Sequence, residues 1–172
     1  SYTKIKTVTS GKTVAYTKNG LSDATEYTYK IRAYKKAGSK TVYGEYSTVK
    51  SVYTLPSTVT LSSVTALSPN SVEIKWDKVT GADGYVIYQK KNDGSYTKIK
   101  TVTSGKTVAY TKNGLSSASK YTYKIKAYKK AGSKTIYGDY STAKSVYTTP
   151  SKVTVSSVTA ISANSVEIKW NK

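Results

Sequence analysis

Apolar and polar positions alternate along this chain with a period of two, as in Ser71-Val72-Glu73-Ile74-Lys75-Trp76 and in Tyr121-Thr122-Tyr123-Lys124-Ile125-Lys126-Ala127. That period belongs to half-buried strands, whose successive side chains leave opposite faces of a sheet. Between residues 56 and 149 it predicts seven strands, near 58–66, 71–78, 84–91, 96–102, 106–111, 120–130 and 135–148, the last one interrupted. In sandwich order these are strands A, B, C, C′, E, F and G. Asn92-Asp93-Gly94 supplies the turn from C to C′ and Asn113-Gly114 the bend after E, both with residues that tolerate positive φ. Apolar residues nowhere recur at helical spacing over more than a turn or two, so no helix is expected. The inward set is Val72, Ile74 and Trp76 on B, Tyr85 and Ile87 on C, and Tyr121, Tyr123, Ile125 and Ala127 on F. Burial of Trp76 alone removes about 200 Å² from water, worth roughly 5 kcal/mol before entropy is subtracted.

A second periodicity sets the organisation. Residues Ser1 to Ser22 return verbatim as Ser95 to Ser116, and Trp76 returns as Trp170, a period of 94 residues. Repeats of that length are whole domains rather than solenoid turns. Residues 1–78 and 95–172 differ at 13 positions, nearly all as mild as Arg32 to Lys126, Val42 to Ile136 or Leu61 to Val155, which reads as duplication followed by light drift. Residues 79–94 have no second copy. The expected organisation is therefore residues 1–55 as the C-terminal part of one repeat (C′, E, F and G), 56–149 as a complete repeat, and 150–172 as strands A and B of the next. Pro56 and Pro150 mark the joints, too short for a flexible tether. With no Met at its start, the chain reads as an internal piece of something longer.

The stretches SVEIKW, GYVIYQK, GLSSASKYTYKIKAYKKAG and YGDYS together resemble the fibronectin type III fold, in the version found in surface and secreted proteins of Gram-positive bacteria. The resemblance covers the whole chain. It implies an all-β fold of seven-stranded, immunoglobulin-like β-sandwich repeats, at an extracellular or cell-surface location. Trp76 stands where the family places its strand-B core tryptophan, and Leu115 with Tyr121 where it places its tyrosine corner. The Tyr121 hydroxyl is accordingly expected to bond backbone a few residues upstream. No Arg-Gly-Asp tripeptide lies in the F–G hairpin, so the integrin-binding role of some animal relatives does not carry over.

Composition changes the picture in two places. His and Cys are absent, so neither a Ser-His-Asp nor a Cys-His nucleophile can be assembled, and the common imidazole and thiolate metal ligands are missing. Glu73 and Asp77 share a face of strand B, but four residues of strand separate them by roughly 13 Å, beyond either glycosidase geometry. Asn171 replaces Asp77 in the second copy. Asp83 and Asp93 read as turn residues, and no string of oxygen ligands for Ca²⁺ is present. Neither cofactor nor metal is expected, and an enzyme ranks last among the readings.

The second change is charge. Lys and Arg number 28 against 9 Asp and Glu, a net charge of +19, which favours encounter with anionic wall polymers, acidic polysaccharides, lipid or nucleic acid. The competing reading is that lysines keep a β array soluble and its edges unpaired. Alternation sends Tyr88, Lys90, Lys98, Lys100, Lys124, Lys126, Tyr128 and Lys130 to the outer face of a C′-C-F-G sheet. The preceding repeat offers Lys4, Lys6, Lys30, Arg32, Tyr34 and Lys36 in the same pattern. Such interleaving could hold an anionic glycan or a single strand of nucleic acid by stacking and charge, or simply be a solvated face on which tyrosines pad lysine stems.

The leading expectation is a non-catalytic structural or spacer array; the alternative is a polyanion- or glycan-binding adhesion module. Expected partners are neighbouring repeats of the same protein, including self-assembly into filaments in which one chain's tail completes the next chain's head, although strand C would be missing there. An anionic cell-wall polymer or polysaccharide comes next, and nucleic acid third. No apolar run is long enough to span a membrane.

Overall fold

A computed structural model describes residues 1–171, which form strands and turns with no helix among them. The chain divides into two compact units, Ser1–Thr54 and Leu55–Lys172.

The first unit contains β1 (Glu26–Tyr29), β2 (Arg32–Ala37), β3 (Lys40–Tyr46) and β4 (Lys50–Tyr53). β1 pairs with β4 and β2 with β3, both antiparallel. Residues 1–25 hold no strand, so the C′ and E strands expected there do not form. The cause is tertiary. A strand exists through its ladder, and the strands that pair with C′ and E in the second unit have no counterpart among the residues of the first.

The second unit carries β5 (Leu61–Ser68), β6 (Ser71–Trp76), β7 (Gly84–Lys91), β8 (Thr97–Val102), β9 (Ala109–Lys112), β10 (Lys120–Ala131), β11 (Lys134–Tyr137), β12 (Lys144–Tyr147), β13 (Val155–Ser162) and β14 (Ser165–Trp170). β5, β6 and β9 form one sheet; β8, β7, β10 and β11 form the other, with β12 also paired to β10. All seven expected strands are present, with G split into β11 and β12. The core between the sheets is the inward set read from alternation, Val72, Ile74, Trp76, Tyr85, Ile87, Tyr121, Tyr123, Ile125 and Ala127, joined by Val59, Leu61, Val79, Val102 and Leu115. The Trp76 and Tyr85 rings meet edge to face at 5.3 Å.

Core tyrosines divide by what their hydroxyls do. Tyr85 accepts from the Val79 N–H at 3.0 Å and donates to the Gly105 carbonyl at 3.2 Å. Tyr121 accepts from the Ser116 N–H at 2.9 Å, five residues upstream, which is the expected corner. Tyr27 repeats that bond with the Ser22 N–H at 2.9 Å, so this turn is encoded locally. Tyr123 has a buried hydroxyl with no partner, and burial pushes its ionisation upward. A buried lone hydroxyl opposes folding, whereas a bonded one holds structure in place. Tyr123→Phe should therefore be neutral or stabilising, and Tyr121→Phe should lose about 1–2 kcal/mol, both read as shifts in a urea midpoint.

β13 and β14 pair as β5 and β6 do, down to equivalent register shifts. Their apolar side chains nevertheless face outward into solvent: Trp170 is 62% exposed where Trp76 is 2%.

Candidate functional site: a ladder of tyrosines and cations

On β10, residues that alternate with the core point outward, and Lys124 and Lys126 are the central cations among them. Their ammonium groups lie among tyrosine rings contributed by other strands and loops. Lys124 Nζ is 4.3 Å from the Tyr96 ring centroid and 3.9 Å from that of Tyr140. Lys126 Nζ is 4.7 Å from Tyr140 and 4.2 Å from Tyr137. The order across the face is thus ring, cation, ring, cation, ring: Tyr96, Lys124, Tyr140, Lys126, Tyr137. Tyr88 braces the centre, edge to face with Tyr140 at 5.3 Å, and Lys90 approaches Tyr96 at 5.5 Å.

Tyr140 reaches this position because strand G breaks. Residues 138–143 leave the ladder, yet Ser141 remains bound to β10: its N–H donates to the Ile125 carbonyl at 2.8 Å and its hydroxyl accepts from the Ile125 N–H at 3.1 Å. A side-chain oxygen thus stands in for a backbone one, and the neighbouring Tyr140 turns outward. Ser141→Ala would leave the buried Ile125 N–H without its acceptor, an expected loss of about 1–3 kcal/mol. Loosening of Tyr140 should accompany it, seen as a shift of its ring resonances by NMR.

The Tyr88–Tyr140 pair shares a hydrogen bond that separates the two phenols. It is the main cause of the rise in the Tyr88 pKa to about 12 and of the fall for Tyr140, to which Lys126 and Lys124 also contribute. Asp83 lies near the end of the sheet, accepting from the Lys130 N–H at 2.7 Å and the Lys129 ammonium at 3.1 Å. The Lys130 N–H is the main cause that holds its carboxyl below the usual range, with Lys129 next among the groups that lower it. A carboxyl with a depressed folded-state pKa stabilises the fold above its unfolded value, about 3.9, and loses that contribution as pH falls through the folded value. Asp83 is a linkage between β10 and the entry to β7 rather than the local turn residue expected.

Some residues expected on the outer face are placed otherwise. A β-bulge in β8 lies between the pairs Ile87 with Lys100 and Tyr88 with Lys98. The extra residue keeps Lys98 opposite outward Tyr88 but sets Lys100 opposite inward Ile87, so Lys100 leaves the face, and its ammonium sits 5.8 Å from Tyr110 on the other sheet. Tyr128 points outward but is 4% exposed. Its ring lies over Gly84, its hydroxyl donates to the Val102 carbonyl at 3.4 Å, and Tyr137 covers its edge at 6.2 Å. Lys130 is exposed beside Asp83, outside the ladder. Tyr96, Tyr137 and Tyr140 were absent from the expected set, although the spacing of two tyrosines in YGDYS around the predicted interruption of G was a readable signal.

The first unit carries the same ladder. Lys30 Nζ is 4.4 Å from Tyr2 and 3.9 Å from Tyr46; the Arg32 guanidinium carbon is 4.6 Å from Tyr46 and 3.9 Å from Tyr43. Tyr34 packs on Tyr43 at 6.3 Å as Tyr128 does on Tyr137. Lys36 is exposed on β2, while Lys4 and Lys6 lie in the strandless segment.

Two antiparallel sheets around a tryptophan core, closed by a tyrosine corner, define an immunoglobulin-like sandwich module. The chain belongs to the fibronectin type III domain family, which matches residues 56–143. Exoglucanase B of Cellulomonas fimi is 31% identical over 98% of this chain, and the chain spans 16% of that protein's length. Among solved structures, the fibronectin type III domain of human contactin 1 is 18% identical with a TM-score of 0.45, covering 52% of this chain and 75% of that one. A β-1,2-glucanase from Parabacteroides distasonis is 21% identical with a TM-score of 0.48, covering 56% of this chain and 13% of that one.

Proposed function

We propose that this chain is a non-catalytic spacer array of a secreted or surface-exposed bacterial protein, in which sandwich repeats are joined stiffly end to end. The observation that carries this reading is the joint. Thr54 is fastened to the first unit, its hydroxyl donating to the Ser22 carbonyl at 2.6 Å. Pro56 is buried in the second unit, its carbonyl against Gly138. Only Leu55 separates these two docked positions. At the other end of the complete repeat, Thr148 is 2% exposed and its hydroxyl donates to the Ser116 carbonyl at 2.7 Å. A link of this length leaves no room for a flexible tether, which supports the spacer reading. Similarity to a stretch of an exoglucanase supports a place beside a glucan-acting domain in a larger protein. Membership of a Gram-positive surface protein and a role in fibres belong to the same proposal.

The test is small-angle scattering from proteins with one, two and four copies of residues 56–149 joined at the native link. The maximum dimension should grow by a constant step per copy. Growth that levels off with copy number, as in a collapsed globule, would overturn the spacer reading.

A further inference from the structure

Among the described residues, no ion pair reaches the ladder cations. Those present join Lys75 to Glu73, Lys129 to Asp83 and Lys169 to Glu167. Tyrosine rings hold Lys124, Lys126, Lys30 and Arg32 instead. A ring quadrupole attracts a cation without neutralising it. Each unit therefore presents two positive charges, two residues apart on one strand or its extension and so roughly 7 Å apart along it. Because packing already restricts these side chains, less rotamer freedom remains to be lost when an anion arrives.

The same geometry selects among polyanions. Platforms for single-stranded nucleic acid rely on open ring faces on which bases stack. Here the central ring, Tyr140, already carries both ammonium groups, at 3.9 Å and 4.7 Å, and Tyr46 carries Lys30 and Arg32 at 3.9 Å and 4.6 Å. The groups left to meet a ligand are charged N–H donors and phenol hydroxyls. Those suit the carboxylates and hydroxyls of an acidic sugar polymer better than the faces of bases.

We propose that each ladder binds a stretch of a linear anionic polysaccharide, with Lys124 and Lys126, or Lys30 and Arg32, pairing with successive carboxylates. Tyrosine hydroxyls of the ladder hydrogen-bond the intervening sugar hydroxyls. Recurrence of the ladder at the 94-residue period makes the binding multivalent on a long polymer, since the second engagement is intramolecular. This goes beyond the spacer reading and stands apart from it: failure to bind sugar leaves the scattering result untouched.

The experiment is a calorimetric titration of the whole 172-residue chain with polygalacturonate at low salt, with neutral dextran and oligothymidylate as comparators. Polygalacturonate should bind, more weakly as salt rises, and dextran should not. The combined variant Lys30→Gln, Arg32→Gln, Lys124→Gln, Lys126→Gln should lose about tenfold or more in affinity. A charge-matched variant away from the ladder, with Gln at Lys12, Lys18, Lys106 and Lys112, should keep most of it. Lys126→Arg should retain binding, since Arg already fills that place in the first unit. Circular dichroism melts would confirm that each variant is folded. Equal loss in the two Gln variants would reduce the effect to bulk charge, tighter binding of oligothymidylate would assign the face to nucleic acid, and binding of dextran at equal strength would remove charge from the account. An absence of any binding at low salt would overturn the proposal outright.

Discussion

Replacing Trp76 by Ala should destabilise the central sandwich by about 3–5 kcal/mol, while the same replacement at Trp170 should change stability by less than about 0.5 kcal/mol. The two tryptophans end the same sequence, SVEIKW, on strands paired in equivalent registers. They differ in surroundings: Trp76 is 2% exposed and packs on Tyr85, whereas Trp170 is 62% exposed. Truncating Trp76 removes apolar burial and leaves a cavity between the sheets. A domain whose whole stability is on the order of 5–15 kcal/mol would lose much of it. Urea unfolding followed by far-ultraviolet circular dichroism compares the variants without relying on tryptophan emission. Similar losses in both would mean that the two hairpins have equivalent environments, against the structure.

Gly84→Ala should be of comparable severity. Gly84 opens β7 where the chain passes beneath the Tyr128 ring and beside β8. A Cβ there would overlap the Val102 carbonyl oxygen and lie 2.6 Å from the Tyr128 hydroxyl. The tyrosine could swing away, but the carbonyl is backbone and bound into the sheet, so β7 and β8 would have to separate at that end. Overpacking of this kind costs about 1–3 kcal/mol or more, and loss of adjacent ladder bonds adds to it. Gly94→Ala is the control, because its Cβ would approach only the Lys91 carbonyl, at 3.1 Å. Equal midpoints for the two variants would show that β7 and β8 are not packed as described.

These expectations also show what the sequence carries. Trp76, Ile87 and Tyr121 were legible as core because a period-two pattern assigns each residue to a face before any partner is known. The tyrosine corner came from the resemblance to the fibronectin type III fold and not from alternation; its bond spans five residues and forms even in the first unit. The ladder was only half legible. Lys124 and Lys126 follow from alternation, but Tyr140 lies outside the regular strand, where alternation says nothing, and its position depends on Ser141 bonding Ile125 across the sheet. Lys100 was misplaced because a bulge adds a residue and reverses the faces beyond it, and no local signal marked the bulge. Strands were expected within residues 1–25 from sequence identity alone. Pairing partners decide that question, and they are not part of the pattern.

Backbone hydrogen exchange, read by mass spectrometry or NMR, addresses most directly the claim that the sandwich is made by tertiary pairing around one complete repeat. Ser1 to Ser22 and Ser95 to Ser116 are chemically identical, so intrinsic exchange is the same in both and any difference is structural. Amides in β8 and β9 should be protected by orders of magnitude relative to their counterparts in residues 1–22, with β7 and β10 slowest of all. Equal protection of the two identical segments, whether both high or both absent, would contradict the account.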